Sequence, residues 1–288
     1  MTIKKIMVPF VEVKSAERAF AAAVPFAKKC SAHIDVVHLR LNAEPPVSAF
    51  YPPVTASYAA EQARFMKEAS DILSKDLREL FRACAERFDV KLAAADHHDE
   101  AGSTAAWREI EGPTFDDLAA HARVCDMVVM ARPDSHAPGY DTGVIETVLF
   151  GAGRPVLVAG PEGSEGFPER VTIAWDGGRE AARAVALSLP VLAEAKDVTV
   201  LTVGKLAASR EPPESVVAYL RLHGVHATAV KLSPGDSAED TFQTEAEHRS
   251  AQLIVMGAYS HSRLRQLILG GFTRSLLGGS ETPLLLSH

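Results

Sequence analysis

The residues with the clearest capacity for chemistry stand at the end of the chain. Leu253, Ile254, Val255 and Met256 form an apolar run into Gly257, Ala258, Tyr259 and Ser260, and nine residues separate Ser260 from Gly270 and Gly271, which precede Phe272, Thr273, Arg274 and Ser275. A strand that ends in glycine and feeds a helix through a glycine pair presents bare main-chain N–H groups, and such groups can wrap a phosphate. The chemistry on offer is anion binding by backbone. A second candidate, Asp176-Gly177-Gly178, follows another apolar run, Val171 to Trp175. Each has a plainer reading: Asp-Gly-Gly is ordinary turn chemistry, and Gly257 and Gly270 would also serve tight strand-to-helix packing.

Little else reads as reactive. The sequence has no Gly-x-Ser-x-Gly elbow, no His-Glu-x-x-His pair and no Walker lysine after a glycine loop, so no catalytic residue is assigned. His97, His98, Asp99 and Glu100 invite a metal, but adjacent histidines do not easily aim at one ion and a polar loop explains them with less; no metal ligand is assigned. Cys30, Cys84 and Cys125 lack metal-ligand spacing and read as buried thiols. A formal charge of −7 without a basic stripe argues against nucleic acid. No apolar run approaches the roughly 20 residues of a membrane span, and Met1 to Phe10 lacks the pattern of a signal peptide, so the expected setting is the cytoplasm without membrane attachment.

The elements that must position these residues are clearest in the second half. Strands are predicted at Val171 to Trp175, Asp197 to Val203, His226 to Leu232, Leu253 to Met256 and Pro283 to Leu286. Helices are predicted at Arg179 to Glu194, at Pro213 to Leu222, through His248 from an N-cap at Asp236 or Ser237, and at Leu264 to Leu277. Strands that alternate with helices of ten or more residues imply parallel pairing with right-handed crossovers, a doubly wound sheet. The first half repeats the order: strand Ile3 to Pro9, helix Ser15 to Cys30, strand Ile34 to Leu41, a long helix from Ala56 to about Phe88, and a strand from Asp126 to Ala131. Its third strand is either Val90 to Ala94 or Ala106 to Ile110, and the latter is preferred because Gly112, Pro113 and Thr114 then introduce a helix. Leu149 to Val158 parallels Leu269 to Leu286. Glycine, proline, serine and glutamate from Pro161 to Pro168 mark a linker.

The spacing glycine, two residues, glycine, nine residues, glycine and a hydroxyl residue resembles the nucleotide-binding signature of the universal stress protein family. Two positions depart from it: Ser260 stands at the second glycine and Gly271 at the hydroxyl residue. The resemblance covers nearly the whole chain and implies an α/β protein of two tandem doubly wound parallel-sheet domains, 1–160 and 169–288, each with strand order 3-2-1-4-5 and Rossmann-like, similar to the adenine nucleotide alpha hydrolases. In such a sheet the ligand crevice lies where the order reverses, between first and fourth strands. The resemblance carries contact with adenine and ribose onto Asp176, reading of the adenine edge onto Val203, and phosphate binding onto Gly257, Ser260, Gly270, Gly271, Phe272 and Thr273.

The function that the resemblance implies is that of a cytoplasmic stress-response protein that binds ATP or a related adenine nucleotide, with or without Mg2+, and acts as a nucleotide-dependent regulator with an unidentified protein partner. A slow ATPase or phosphotransfer enzyme and a ligand-free regulatory scaffold are the alternatives. The first half should bind no nucleotide, because Val11 or Glu12 stands in the place of Asp176, Ala131 in that of Gly257, and Pro133 removes an N–H. Gly257→Val should then abolish binding and leave the fold intact. The fifth strands, Arg154 to Ala159 and Pro283 to Ser287, are expected to pair the two domains internally, which leaves a homodimer open.

Overall fold

The computed structural model describes residues 2–41, 56–94, 102–132, 142–160, 166–258 and 271–288. In chain order the first half contains β1 (Lys5–Pro9), α1 (Val13–Cys30), β2 (His33–Leu41), α2 (Ala56–Arg87), β3 (Lys91–Leu92), β4 (Thr104–Gly112), α3 (Asp116–Ala122), β5 (Met127–Ala131), α4 (Thr142–Ala152) and β6 (Val156–Ala159). The second half contains β7 (Arg170–Ala174), α5 (Arg179–Leu192), β8 (Asp197–Val203), α6 (Pro213–Leu222), β9 (Ala227–Leu232), α7 (Ala238–His248), β10 (Leu253–Gly257), α8 (Gly271–Gly279) and β11 (Leu284–Ser287).

Among the described residues all eleven strands join one sheet, in the order β3-β4-β2-β1-β5-β6-β11-β10-β7-β8-β9. The run β4-β2-β1-β5-β6 and the run β9-β8-β7-β10-β11 both have the predicted order 3-2-1-4-5. The third strand of the first half is the preferred candidate, extended to Thr104–Gly112, while the other candidate survives as the two-residue edge strand β3. Pairing is parallel except between β6 and β11, where Val156, Leu157 and Val158 lie antiparallel to Leu286, Leu285 and Leu284.

Near-continuous apolar strands such as Ile6 to Val8 and Leu253 to Met256 are buried on both sides because helices cover both faces. One layer packs α1, α2, α5 and α6 on the sheet, and the other packs α3, α4, α7 and α8. The repeat is legible at single residues. Phe10 N–H donates to the Val37 carbonyl and Trp175 N–H to the Leu201 carbonyl, and Pro25 and Pro190 each stand fifteen residues after those aromatics inside α1 and α5. Ser237 caps α7, its hydroxyl accepting from the Asp240 N–H at 2.9 Å. Part of the expected linker, 161–165, and the start of the expected fourth helix, 264–270, lie outside the described residues.

One glycine is fixed by packing. A Cβ on Gly257 would stand 2.4 Å from Ala181 N and 2.4 Å from Glu180 C, in the first turn of α5. The expectation that Gly257→Val spares the fold is therefore overturned: main chain occupies the space that any side chain would need. Gly257→Ala should cost about 3 kcal/mol through overpacking of strand against helix, read as a lower urea midpoint at unchanged slope. A wild-type midpoint would refute this contact.

A second structural device is Asp35 on β2, fully buried on the α3 side, where it meets His121 Nε2 at 3.1 Å, Lys5 Nζ at 3.1 Å and Arg108 Nε at 3.4 Å. Burial alone would raise its pKa, but the hydrogen bonds from His121 and Lys5 and the charge of Arg108 outweigh it and hold the value at about 2. A carboxylate depressed in the folded state adds stability above its unfolded pKa and loses it as pH falls toward the folded one. Asp35→Asn should thus cost about 2 kcal/mol at pH 7, and the two proteins' thermal midpoints should converge between about pH 4 and pH 2. Parallel curves over that window would remove Asp35 as the source.

Candidate functional site

The order of the sheet brings the tips of β7 and β10 side by side, paired through Ala174 and Met256. Beyond β7 the chain turns at Trp175, whose carbonyl accepts from the Thr202 hydroxyl at 2.8 Å and whose indole N–H donates to the Glu211 carbonyl at 2.8 Å. Asp176 follows, with its side chain 44% exposed. One carboxylate oxygen accepts from the Gly178 N–H at 2.8 Å, the turn geometry of an Asx motif. The other accepts from Arg210 Nη1 at 2.8 Å, and the same nitrogen donates to the Asp176 carbonyl at 2.6 Å.

Arg210 lies on the β8–α6 connection and lays this loop against the β7 tip. Gly177 permits that approach: its φ is +71°, and a Cβ there would lie 2.7 Å from Arg210 Cβ. The turn reading and the ligand reading of Asp176 coexist, because a carboxylate offers about four acceptor positions and two are used, one by the Gly178 main chain and one by the Arg210 side chain.

At the other tip, Gly257 sits against the first turn of α5, and Ala258 N–H continues the ladder to the Ser287 carbonyl at 2.8 Å. His288 Nδ1 donates to the Ala258 carbonyl at 3.1 Å. Glu180 in that first turn is buried; burial pushes its pKa up, yet the 2.6 Å hydrogen bond from Arg179 brings it below the ordinary value. An acid at this place suits a helix N-terminus.

The remaining candidates divide. Val203 ends β8, its side chain packed in the α7–α8 layer, and Gly204 beyond it donates its N–H to the Leu232 carbonyl. Gly271 is exposed at the start of α8, with Glu239 Oε1 3.8 Å from where its Cβ would stand. Phe272 turns inward and meets Phe242 edge-on at 5.4 Å. Thr273 is 3% exposed, so its side chain belongs to the core. Ser260 and Gly270 lie outside the described residues, as do Tyr259, His261 and Arg263. Asp176 and Gly257 are thus brought to neighbouring tips, Val203 lies on the far side of β7, and Phe272 and Thr273 serve packing.

The first half has the same frame without the acid. His38 Nδ1 donates to the Phe10 carbonyl at 2.9 Å, as Thr202 does to Trp175, so the residue in the place of Asp176 is Val11, packed in the second layer. His38 also stacks on Trp107, with centroids 5.8 Å apart. Sequence reasoning missed Arg210, which is 34 residues from its partner and carries no local pattern. Arg132 was missed as well. The residues 97–100 considered for a metal lie outside the described residues, and among the described ones no three His, Cys, Asp or Glu side chains cluster for an ion. Nor, among these, is any helix long and apolar enough to cross a membrane.

Known proteins share part of this sequence and most of this fold. Residues 221–288, which include Gly257, Gly271 and Thr273, match the Universal stress protein family. Along 99% of this chain and 96% of its own, a universal stress protein from Archaeoglobus fulgidus DSM 4304 is similar in structure, with a TM-score of 0.68 and 14% identity. A functionally unknown protein from Pseudomonas aeruginosa PAO1 is similar over 99% of this chain and 92% of its own, with a TM-score of 0.53 and 14% identity. No curated protein matches the chain in sequence. The C-terminal residues 221–288 thus resemble the universal stress protein family in sequence, and along nearly its whole length the chain shares the fold of a universal stress protein.

Proposed function

We propose that the chain is a cytoplasmic stress-response protein that binds ATP or a related adenine nucleotide in its C-terminal half, and that the nucleotide sets its conformation or choice of partner. The halves act as two domains, 1–160 and 169–288, and the second carries the ligand. The observation that carries this reading is Asp176, a half-exposed carboxylate held in place at the β7 tip beside the β10 tip, on the segment of the sheet where the strand order reverses. Its free acceptor positions suit ribose hydroxyls, and main chain at the end of β8, by Val203, suits the edge of an adenine. Phosphates would follow the main chain from Gly257 through Ser260 and Gly270 to Gly271, with Mg2+ as an optional companion.

Two features temper the phosphate end. Gly257 is accounted for by the close approach of α5, and Thr273 is buried. The affinity assigned to this end therefore comes from backbone N–H groups rather than from side chains. In the first half, Val11 offers a ribose no acceptor, and we assign that half no nucleotide.

Titration calorimetry with Mg-ATP on the full chain tests the reading. Wild type should give one site per chain, and Asp176→Ala should weaken it by about 10- to 100-fold, the worth of a hydrogen bond to a charged group. Equal affinity in the variant would overturn the role of Asp176, and no heat with wild type would overturn the nucleotide reading and favour the ligand-free scaffold. Phosphate release during the same incubation would instead make the protein a slow ATPase.

A further inference from the structure

Arg132 follows β5 directly, in the place that Ala258 occupies after β10, and it is 8% exposed. Its guanidinium reaches out of the first half into the second. Nη1 donates to the carbonyls of Leu276, at 3.1 Å, and Ser280, and Nη2 to that of Thr282 at 3.2 Å. These carbonyls belong to the last turn of α8 and the turn beyond it, where a helix presents its negative end and its final carbonyls run short of donors, although that of Leu276 also accepts from the Ser280 N–H at 3.1 Å. One rigid fork spans all three.

The second half has its own arginine at the corresponding helix end and does not use it so. In the first half Arg123, just after α3, donates through Nε to the Gly151 carbonyl at 3.1 Å and so serves the end of α4. The counterpart just after α7 is Arg249, whose Nε turns back to Glu245 at 2.7 Å. From its own half α8 receives Gln243, which reaches the Gly279 carbonyl at 3.3 Å. The cation at its end comes from the other half, and Ala258 returns nothing equivalent.

We propose that Arg132 is a positioning residue for the C-terminal crevice: the half without an acid at its own tip holds the far end of α8, the helix whose first turn would face the phosphates, and so sets the nucleotide affinity of its neighbour. This rests on the nucleotide reading above. A helix of nine residues is marginal by itself. If its last turn frays, the main-chain N–H groups of its first turn lose the fixed direction on which anion binding depends, and preorganisation is lost before any ligand contact is. By linkage, nucleotide in the crevice must in turn tighten the hold of Arg132 on α8.

The test uses the full chain with Arg132→Met, which keeps an apolar stem and removes the fork, and Arg132→Lys, which restores one cation. Asp35→Asn, a destabilising change remote from the crevice, controls for lost stability alone. Hydrogen exchange without nucleotide should accelerate about 10-fold at the α8 amides in Arg132→Met, and Mg-ATP affinity should fall about 10-fold, a coupling of ordinary size. Arg132→Lys should lie between, and Asp35→Asn should keep wild-type affinity. Unchanged exchange at α8, or faster exchange with wild-type affinity, overturns the role of Arg132. If wild type itself gives no heat, the nucleotide reading falls and takes this inference with it; heat that is equal in wild type and Arg132→Met removes only the inference.

Discussion

The antiparallel contact between β6 and β11 is the constraint on which the rest of the molecule depends. Both strands are four residues long and wholly buried, and each would otherwise be an open apolar edge, a template for foreign strands. Pairing closes both edges at once and makes one sheet of two. The layers then run across the join: Phe26 meets Phe167 at 5.2 Å, and Lys29 meets Glu194 at 2.9 Å. The chain leaving β6 is pressed so close that a Cβ on Gly160 would lie 2.5 Å from the Glu281 carbonyl oxygen.

Because the join is antiparallel, the carboxyl ends of the strands in one half stand level with the amino ends in the other. That sets two further contacts between the halves. Arg132, beyond the end of β5, arrives beside the end of α8 and the approach to β11. Conversely His288, beyond the end of β11, arrives beside the end of α4, where it meets Phe150 edge-on at 4.6 Å. The geometry is two-fold and the chemistry is not. A cation on carbonyls in one place and a ring on a ring in the other give the halves different means of sensing each other, although the backbone frame is shared.

Much of this was legible in the sequence. Apolar periodicity located the strands and the first three helices of the second half to within a few residues, because each alternation of strand and helix has its own turn chemistry, such as the cap at Ser237. The repeat was legible for the same reason and extends to Pro25 and Pro190. Asp176 could be singled out from its place after the first strand. What escaped was every feature made by residues distant in the chain. Arg210 on Asp176, Arg132 on Leu276 and the first turn of α5 against Gly257 are set by the fold, and no local pattern announces them. The same limit explains Thr273: hydroxyl residues in a glycine-rich segment read as ligand groups until packing shows which way they turn. The third strand of the first half was ambiguous for a different reason, since both candidates are strands and only their lengths differ.

The glycines of a binding signature are commonly taken as marks of a ligand, and Gly257 shows why that inference needs a second observation. Its lack of a side chain is required by helix α5 whether or not anything binds, so the glycine by itself reports packing and not a ligand. At the matching tip of the first half stands Ala131, and Val11 stands in the place of the carboxylate. A side chain that packing does not require discriminates better. Asp176 is of this kind: it is half exposed, its turn would tolerate other turn-forming residues, and yet it is fixed by two separate donors, Gly178 and Arg210. Fixing an exposed carboxylate costs side-chain entropy that an exposed ion pair barely offsets. That outlay is recovered when a further donor meets an acceptor already in position, which is why the acid and not the glycine bears the functional argument.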